Sequence, residues 1–259
     1  MYDLHSHILP GVDDGAKTMD DAMQMAIVAA DGGTRVMLTT PHRKDITENF
    51  SVGYIQHLLG EFNEDIEKKG LKLRLLSGME NHLDLDLPTE LDQGRALRIN
   101  GSRYALVELP FFGRPNYIEE VLFEIQLKGT TPVLAHPERI EAIQKDPDLL
   151  VRLVERGMLS QITAGSIVGH FGGEVRRLTR SLLRRGLVHV IASDTHFPSG
   201  PRSPVLLPGL EAAAQIVGLD SARAMVIDTP KAIFDDQPVN GEGPKVEEIL
   251  PRWWSFWRR

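Results

Sequence analysis

Two short pairs of chemistry-bearing residues stand far apart in the chain: His5-Ser6-His7 near its start and Asp194-Thr195-His196 much later. In each pair the two ligand-type side chains are alternate residues. Alternate residues of an extended strand share a face, so either pair can chelate one ion. Between them lie His42, Glu80, Glu108 and the segment His136-Pro137-Glu138-Arg139, each following a short apolar run. A lone histidine after a strand is more often a hydrogen-bonded core or surface residue, and His57, His82, His170 and His189 are read that way. The recurrence of ligand types at the ends of six separate runs is what points to a metal site. Buried carboxylates and imidazoles without partners would be costly. The Pro10-Gly11 turn can bring Asp13 or Asp14 back toward the first histidines. A solvated Asp-Gly turn is the plainer use of that stretch, and spacing alone does not choose.

The elements that must position these residues alternate. Seven β-rich runs are expected: Tyr2–His5, Arg35–Thr40, Leu71–Gly78, Tyr104–Leu109, Pro132–Ala135, Ser160–Ala164 and Val188–Ala192. Most are continuously apolar, as strands of a parallel sheet are. Helical patterns separate most of them, which predicts an α/β fold. Thr18 with Asp21 forms a capping box for a helix ending at Gly32 or Gly33, and Asn116 with Glu119 predicts a second box. Asp146-Pro147 opens a helix closed by Gly157, with Leu149, Leu150, Leu153 and Val154 on its buried face. Another spans about Glu174 to Arg185, its charge outward. Only a short helical turn and an irregular stretch are expected from Asn81 to Arg103. Seven strands with outer helices suggest a distorted seven-stranded (β/α)7 relative of the TIM barrel, with an open doubly wound sheet as the competing topology. In such barrels functional side chains gather at the C-terminal strand ends. Of the seven runs, only the sixth ends without ligand types, offering Thr163 and Ser166.

The totals fit this picture. The chain has 259 residues, 42% hydrophobic and 25% charged, enough for one large core. It has no cysteine, which excludes disulfides, thiolate ligands and thiolate catalysis and fits a reducing cytoplasm. The net charge of −7 argues against broad nucleic-acid binding. No apolar run reaches membrane-spanning length, and no basic, apolar leader precedes Asp3.

The assembled motifs resemble the PHP (polymerase and histidinol phosphatase) superfamily. Within it, they are most similar to the CpsB/CapC-type bacterial protein-tyrosine phosphatases of capsule and exopolysaccharide systems. The stretches that carry the likeness are D-L-H-S-H-I-L-P-G-V-D-D-G, S-G-M-E, S-R-Y-A-L-V-E-L-P, P-V-L-A-H-P-E-R and V-I-A-S-D-T-H. It covers about the first 235 residues. The resemblance implies a trinuclear site. His5, His7, Glu80 and Asp194 would hold one metal; Glu80, Glu108 and His136 a second; Asp14, His42 and His196 a third. Asp14 replaces a histidine of other branches. Manganese is the ion the family implies, with iron or zinc compatible with the same ligands.

That site would attract a phosphate dianion, and a hydroxide bridging two metals would attack phosphorus directly, without a phosphoenzyme. Arginines can grip phosphate oxygens in a fork. Arg139 matches a family arginine, Arg202 falls near another, and Arg43 follows His42; a surface salt bridge is the alternative for each. The implied substrate is phosphotyrosine in the tyrosine-rich tail of a cognate bacterial kinase. A small-molecule phosphatase such as a histidinol phosphatase is the alternative on this scaffold, and a non-catalytic binding module would be expected to lack ligands.

Residues 1–237 are read as the barrel and 238–259 as a linker and tail. All three tryptophans, Trp253, Trp254 and Trp257, lie in that tail beside arginines. Packing on the barrel or on a neighbouring subunit of a homo-oligomer is the favoured reading. Weak attachment to the inner face of the membrane is the other.

Overall fold

A computed structural model describes residues 1–239. The predicted Trp/Arg-rich tail lies outside the described residues, apart from Pro238 and Val239. The described residues fold into eight strands and twelve α-helices in α/β alternation. Strands β1 (Tyr2–Asp3), β2 (Val36–Thr39) and β3 (Arg74–Ser77) form one parallel sheet in that order. Strands β4 (Asn81–His82), β5 (Tyr104–Glu108), β6 (Thr131–Ala135), β7 (Leu159–Thr163) and β8 (Val190–Ala192) form a second. Where a single set of seven strands was expected, the described residues form two sheets of three and five strands. The additional strand, β4, falls in the stretch read as irregular. It follows β3 after only Gly78, Met79 and Glu80, where the chain leaves one sheet and joins the other.

Both junctions between the sheets are made by site residues. At one, His42 and Glu80 form an isolated parallel bridge, with Arg43 N–H donating to the Glu80 carbonyl at 3.0 Å. At the other, Ser6 bridges Thr195, while Asp194 N–H donates to the His5 carbonyl at 3.0 Å and His7 N–H to that of Thr195 at 2.9 Å. One buried apolar cluster draws on both sheets: Leu4 and Leu38 from the first side meet Leu106, Val133, Leu159 and Val190 from the second.

The helices follow their local chemistry. Helix α1 (Met19–Asp31) starts with the expected box, Asp21 N–H to Thr18 Oγ1 and Thr18 N–H to the Asp21 carboxylate, both at 3.1 Å. Helices α2 (Arg43–Asn49), α3 (Val52–Lys68) and α4 (Leu87–Asp92) flank the passage from β2 to β5. Helix α5 (Ile118–Leu127) begins one residue after Tyr117, so the box predicted at Asn116 does not form. Short α6 (Glu141–Lys145) precedes α7 (Pro147–Glu155), which has its proline in the first turn and Leu149, Leu150, Leu153 and Val154 buried. After β7 come α8 (Ala164–Val168) and α9 (Gly173–Arg184), which buries Thr179, Leu182 and Leu183. Helices α10 (Leu207–Val217), α11 (Leu219–Ala224) and α12 (Asp228–Phe234) complete the described chain.

Candidate metal centre

The ends of β1, β2, β5, β6 and β8, with the β3–β4 passage, deliver their polar side chains to one place. His5 and His7 point their Nε2 atoms at each other across 3.1 Å. Their other ring nitrogens are engaged: His5 Nδ1 with Gln161 Oε1 at 2.9 Å and His7 Nδ1 with Asp13 Oδ2 at 2.7 Å. With Nδ1–H donated to those oxygens, both Nε2 atoms present lone pairs to the same point. Glu80 Oε2 lies 3.3 and 3.4 Å from them, and Asp194 Oδ1 3.5 and 3.6 Å. Four lone-pair atoms facing one another repel unless a cation sits between them. This is the donor set of a borderline metal ion, with carboxylate and amide partners fixing the rings.

Glu80 is the hub. Its Oε1 lies 2.8 Å from His136 Nε2, which is 3.6 Å from Glu108 Oε1, while its Oε2 is 3.1 Å from His42 Nδ1. Asp14 Oδ1 lies 3.4 Å from His42 Nε2 and 3.2 Å from His196 Nε2. Three overlapping groups have mutual spacing suited to an ion: His5, His7 and Glu80; His42, Glu80 and Glu108; and His7, Asp14, His42 and His196. All nine sequence-predicted ligands are thus brought together, and the choice left open at Asp13-Asp14 resolves into two roles. Asp13 orients His7 and accepts from Gly15 N–H at 2.9 Å, whereas Asp14 faces His42 and His196. Gly15 is required there, because a Cβ would stand 1.9 Å from the His7 carbonyl oxygen.

The electrostatics favour positive charge at this point. Burial pulls the His7 pKa down, but Asp13 and Glu80 outweigh it and raise it to about 9. Burial also acts on His42, yet Asp14 and Glu80 push it up to about 11. Burial raises the Glu80 and Asp194 carboxyls. His5 outweighs it at both, aided at Glu80 by His136 and His42 and at Asp194 by Arg202, His136 and Arg139, so both stay ionised. His196 and His42 hold Asp14 far below the usual carboxylate range. His136 and Asp194 also adopt left-handed backbone conformations, with φ of 33° and 51°. Such strain in non-glycine residues costs about 1 kcal/mol or more and clusters at functional sites.

Of the arginines, Arg139 donates to Asp194 Oδ2, its guanidinium 4.6 Å from the Phe171 ring centre and 5.3 Å from that of Phe111. Arg202 donates to Asp194 Oδ1 at 3.0 Å and lies 2.7 Å from His196 Nε2. Arg43 does not join them, which corrects its expected phosphate role. Its guanidinium is buried against Glu90, Asp84 and the His82 carbonyl. Three further residues stand at the site: Gln161 and Asp3, which were not singled out in the sequence, and His82, read there as an ordinary hydrogen-bonded histidine. Gln161 is a polar residue in the fully buried strand β7, a signal that could have exposed it. His82 Nδ1 lies 3.4 Å from Glu108 Oε2. Asp3 accepts from Ser193 N–H at 2.9 Å, beside Asp194.

Comparison with known proteins identifies the family. The family described as "Capsular polysaccharide synthesis, CpsB/CapC" matches residues 1–235. The tyrosine-protein phosphatase YwqE of Bacillus subtilis is 37% identical over 196 residues, covering 76% of this chain and 77% of the relative. The tyrosine-protein phosphatase CpsB of Streptococcus pneumoniae is 30% identical over 251 residues, 92% of this chain and 99% of that one. A solved structure from work on YwqE and CpsB, described as unique metal-dependent tyrosine phosphatases, superposes with a TM-score of 0.88 at 32% identity, covering 94% of this chain and 99% of that one. Dihydropyrimidinase from Brevibacillus agri, at 12% identity and a TM-score of 0.57, covering 95% of this chain and 72% of that one, shares the fold alone. By a match spanning nearly all its described residues, the chain belongs to the CpsB/CapC family.

Proposed function

We propose that the chain is a metal-dependent phosphotyrosine-protein phosphatase, acting on the tyrosine kinase of a capsule or exopolysaccharide system. The observation that carries this is the convergence of the His5 and His7 Nε2 lone pairs with Glu80 and Asp194, under two arginines on one carboxylate. His5, His7, Glu80 and Asp194 would hold the innermost of three divalent ions. Glu80, Glu108 and His136 would hold the second, and Asp14, His42 and His196 the third. Manganese leads, with iron and zinc compatible with imidazole and carboxylate donors. The cross-sheet core and the two bridged junctions support reading both sheets as one distorted barrel, in which β3 and β4 occupy a single position.

Bound ions would supply Lewis acidity and acidify a water. The chain supplies the rest. Gln161 and Asp13 fix the histidine tautomers, so that Nε2 is the donor atom. Arg139 and Arg202 each use part of their fork on Asp194 and keep N–H donors for phosphate oxygens. Their charge also opposes the build-up of negative charge as the phosphoryl group is transferred. The tyrosyl leaving group is a stabilised phenolate, so no strong general acid is demanded. With no cysteine in the chain, water is the natural acceptor of the phosphoryl group.

The test compares metal-loaded protein on a phosphotyrosine peptide and on histidinol phosphate. A kcat/KM at least about 100-fold higher on the peptide, abolished by chelator, is expected, since aligned recognition of one leaving group is worth several kcal/mol. Preference for histidinol phosphate would move the assignment to a small-molecule phosphatase. Among the described residues no helix is long and apolar enough to cross a membrane. A cytoplasmic site of action is part of the same proposal; weak membrane attachment through the tryptophan-rich tail is the second reading of that segment. Unchanged liposome co-sedimentation after deletion from Val246 onward would remove the tail's part.

A further inference from the structure

Helix α9 carries Arg176, Arg177, Arg180 and Arg184 against a single acid, Glu174, in a chain whose net charge is −7. Arg176, Arg180 and Arg184 recur every fourth residue and so share one face. Among the described residues none of the three has an ion pair or a hydrogen-bonded partner for its guanidinium, and Arg176 and Arg184 are exposed. Like charges at this spacing repel, and Arg176 and Arg177 also sit near the positive end of the helix dipole. Arg184, in the last turn, suits the helix dipole, but Arg176 at the other end does not.

The stripe begins beside the loop that supports Arg139. Helix α9 packs against the Pro137–Arg139 turn. Arg176 Cδ lies 3.2 Å from where a Cβ would stand on Gly169, in the loop that carries Phe171. Phe171 in turn lies under the Arg139 guanidinium at 4.6 Å. From there the arginines run along the helix over about 12 Å, at about 6 Å per step. Alternate side chains on one face of an extended peptide are spaced by about 6.6 Å. The two periods match, and an acidic strand laid along the helix can place a charge at each arginine.

We propose that this face of α9 is a docking track for an extended acidic segment flanking the scissile phosphotyrosine, with carboxylates or further phosphates at alternate residues. The track rests on the phosphatase reading above, but its binding can be read without turnover. The experiment uses the full chain, metal-loaded, and the triple variant Arg176→Gln/Arg180→Gln/Arg184→Gln. The triple Arg→Lys variant serves as charge-preserving control, and thermal unfolding verifies that both fold.

Three phosphotyrosine peptides are compared: one with neutral flanks, one with glutamates at alternate positions and one with phosphotyrosines there. For the Gln variant, kcat/KM on a small aryl phosphate and on the neutral peptide should stay within about twofold. On the two acidic peptides it should fall by about tenfold at low salt, through KM, with the difference vanishing at high salt, as screened charge contacts do. A drop with the phosphorylated flanks alone would narrow the ligand to phosphate; a drop with both supports general acidic recognition. Anisotropy of the same peptides bearing a non-hydrolysable phosphonate tests the track even if tyrosyl phosphate is not turned over, so the two readings fail separately. An equal effect on the aryl phosphate, no effect on either acidic peptide, or loss only of binding to anionic phospholipid vesicles would overturn the proposal.

Discussion

His5, His7, Glu80 and Asp194 are sealed from solvent, each at 1% exposure or less, whereas the Asp14 side chain is 60% exposed and that of His42 29%. The inner donors are also anchored from behind: His5 by Gln161, His7 by Asp13, and Asp194 by Arg139 and Arg202. Among the described residues, Asp14's ion-pair partners are the histidines of the site itself, His7, His42 and His196. Groups locked by neighbouring packing and hydrogen bonds keep their geometry whether or not an ion is bound, while a ligand on an exposed turn must be ordered by the ion. On the proposed assignment, the inner donors would offer a preformed position, and an ion held through Asp14 would bind more weakly and exchange faster. It also follows the fold, since the inner residues lie on the bridged backbone between the sheets and Asp14 on a turn outside it.

The sharpest way to break this contrast is Asp194→Asn. It removes an inner donor and leaves Arg139 and Arg202 facing a neutral amide, so activity should fall by about 1,000-fold or more together with inner metal content. Elemental analysis and kcat on a phosphotyrosine peptide would measure both; full metal content with full activity would overturn the inner assignment. Next in size is Arg43→Met. Arg43 is buried behind His42, tying the start of α2 to Asp84 and Glu90. Removing it leaves Asp84 to Lys44 and Glu90 to Arg95, each pair at a longer 3.8 Å, and should cost about 2 kcal/mol of stability. Denaturant unfolding would measure the loss, and a change under about 0.5 kcal/mol would show the clamp to be unimportant. Asp14→Asn should be milder, removing close to one ion of the complement and lowering activity by about 10- to 100-fold. If Asp14→Asn emptied the inner position as well, the two halves would be one cooperative unit.

The strand-end ligands were legible because their signal is local: a polar chelating residue closing an apolar run, repeated along the chain. Most of the helices and the parallel alternation were legible for the same reason. The break between β3 and β4 was not, because the Gly78–Glu80 stretch that changes sheets also reads as the end of one strand. Arg43 misled because it neighbours His42 in sequence. As the first residue of α2, however, it turns to a different face and finds Asp84 and Glu90, acids far along the chain that only the fold brings near. The division of labour between Asp13 and Asp14 rests on the close packing of Gly15 over His7, a contact with no trace in spacing. Gln161 and His82 depend on which strands become neighbours, a property of topology rather than of local pattern.

The smallest effect, a dependence on pH, probes both halves at once. His7 is raised from 6.5 to about 9 and His42 from 6.5 to about 11, so folding favours their protonated forms in chelated protein. A raised folded-state pKa contributes stability that is complete below 6.5 and lost as pH climbs through the folded value. His196, lowered mainly by burial, acts only below 6.5, and the depressed carboxyls Asp13, Asp14 and Asp194 act only in acid. Between pH 6.5 and 9 nothing at the site offsets the loss from His5, whose pKa is also raised, and from His7. Chelated protein should therefore melt about 4 °C lower at pH 9 than at pH 6.5. Metal affinity should rise over the same interval, because the ion no longer competes with the proton. The halves then part. The gain that His7 contributes at the inner position should fade as pH passes above about 9, whereas the outer position should keep gaining toward pH 11 as His42 follows. Chelator-competition titrations at several pH values resolve the two slopes. A single common slope would show that the inner and outer donors titrate as one cluster, and that the contrast in burial does not reach the metals.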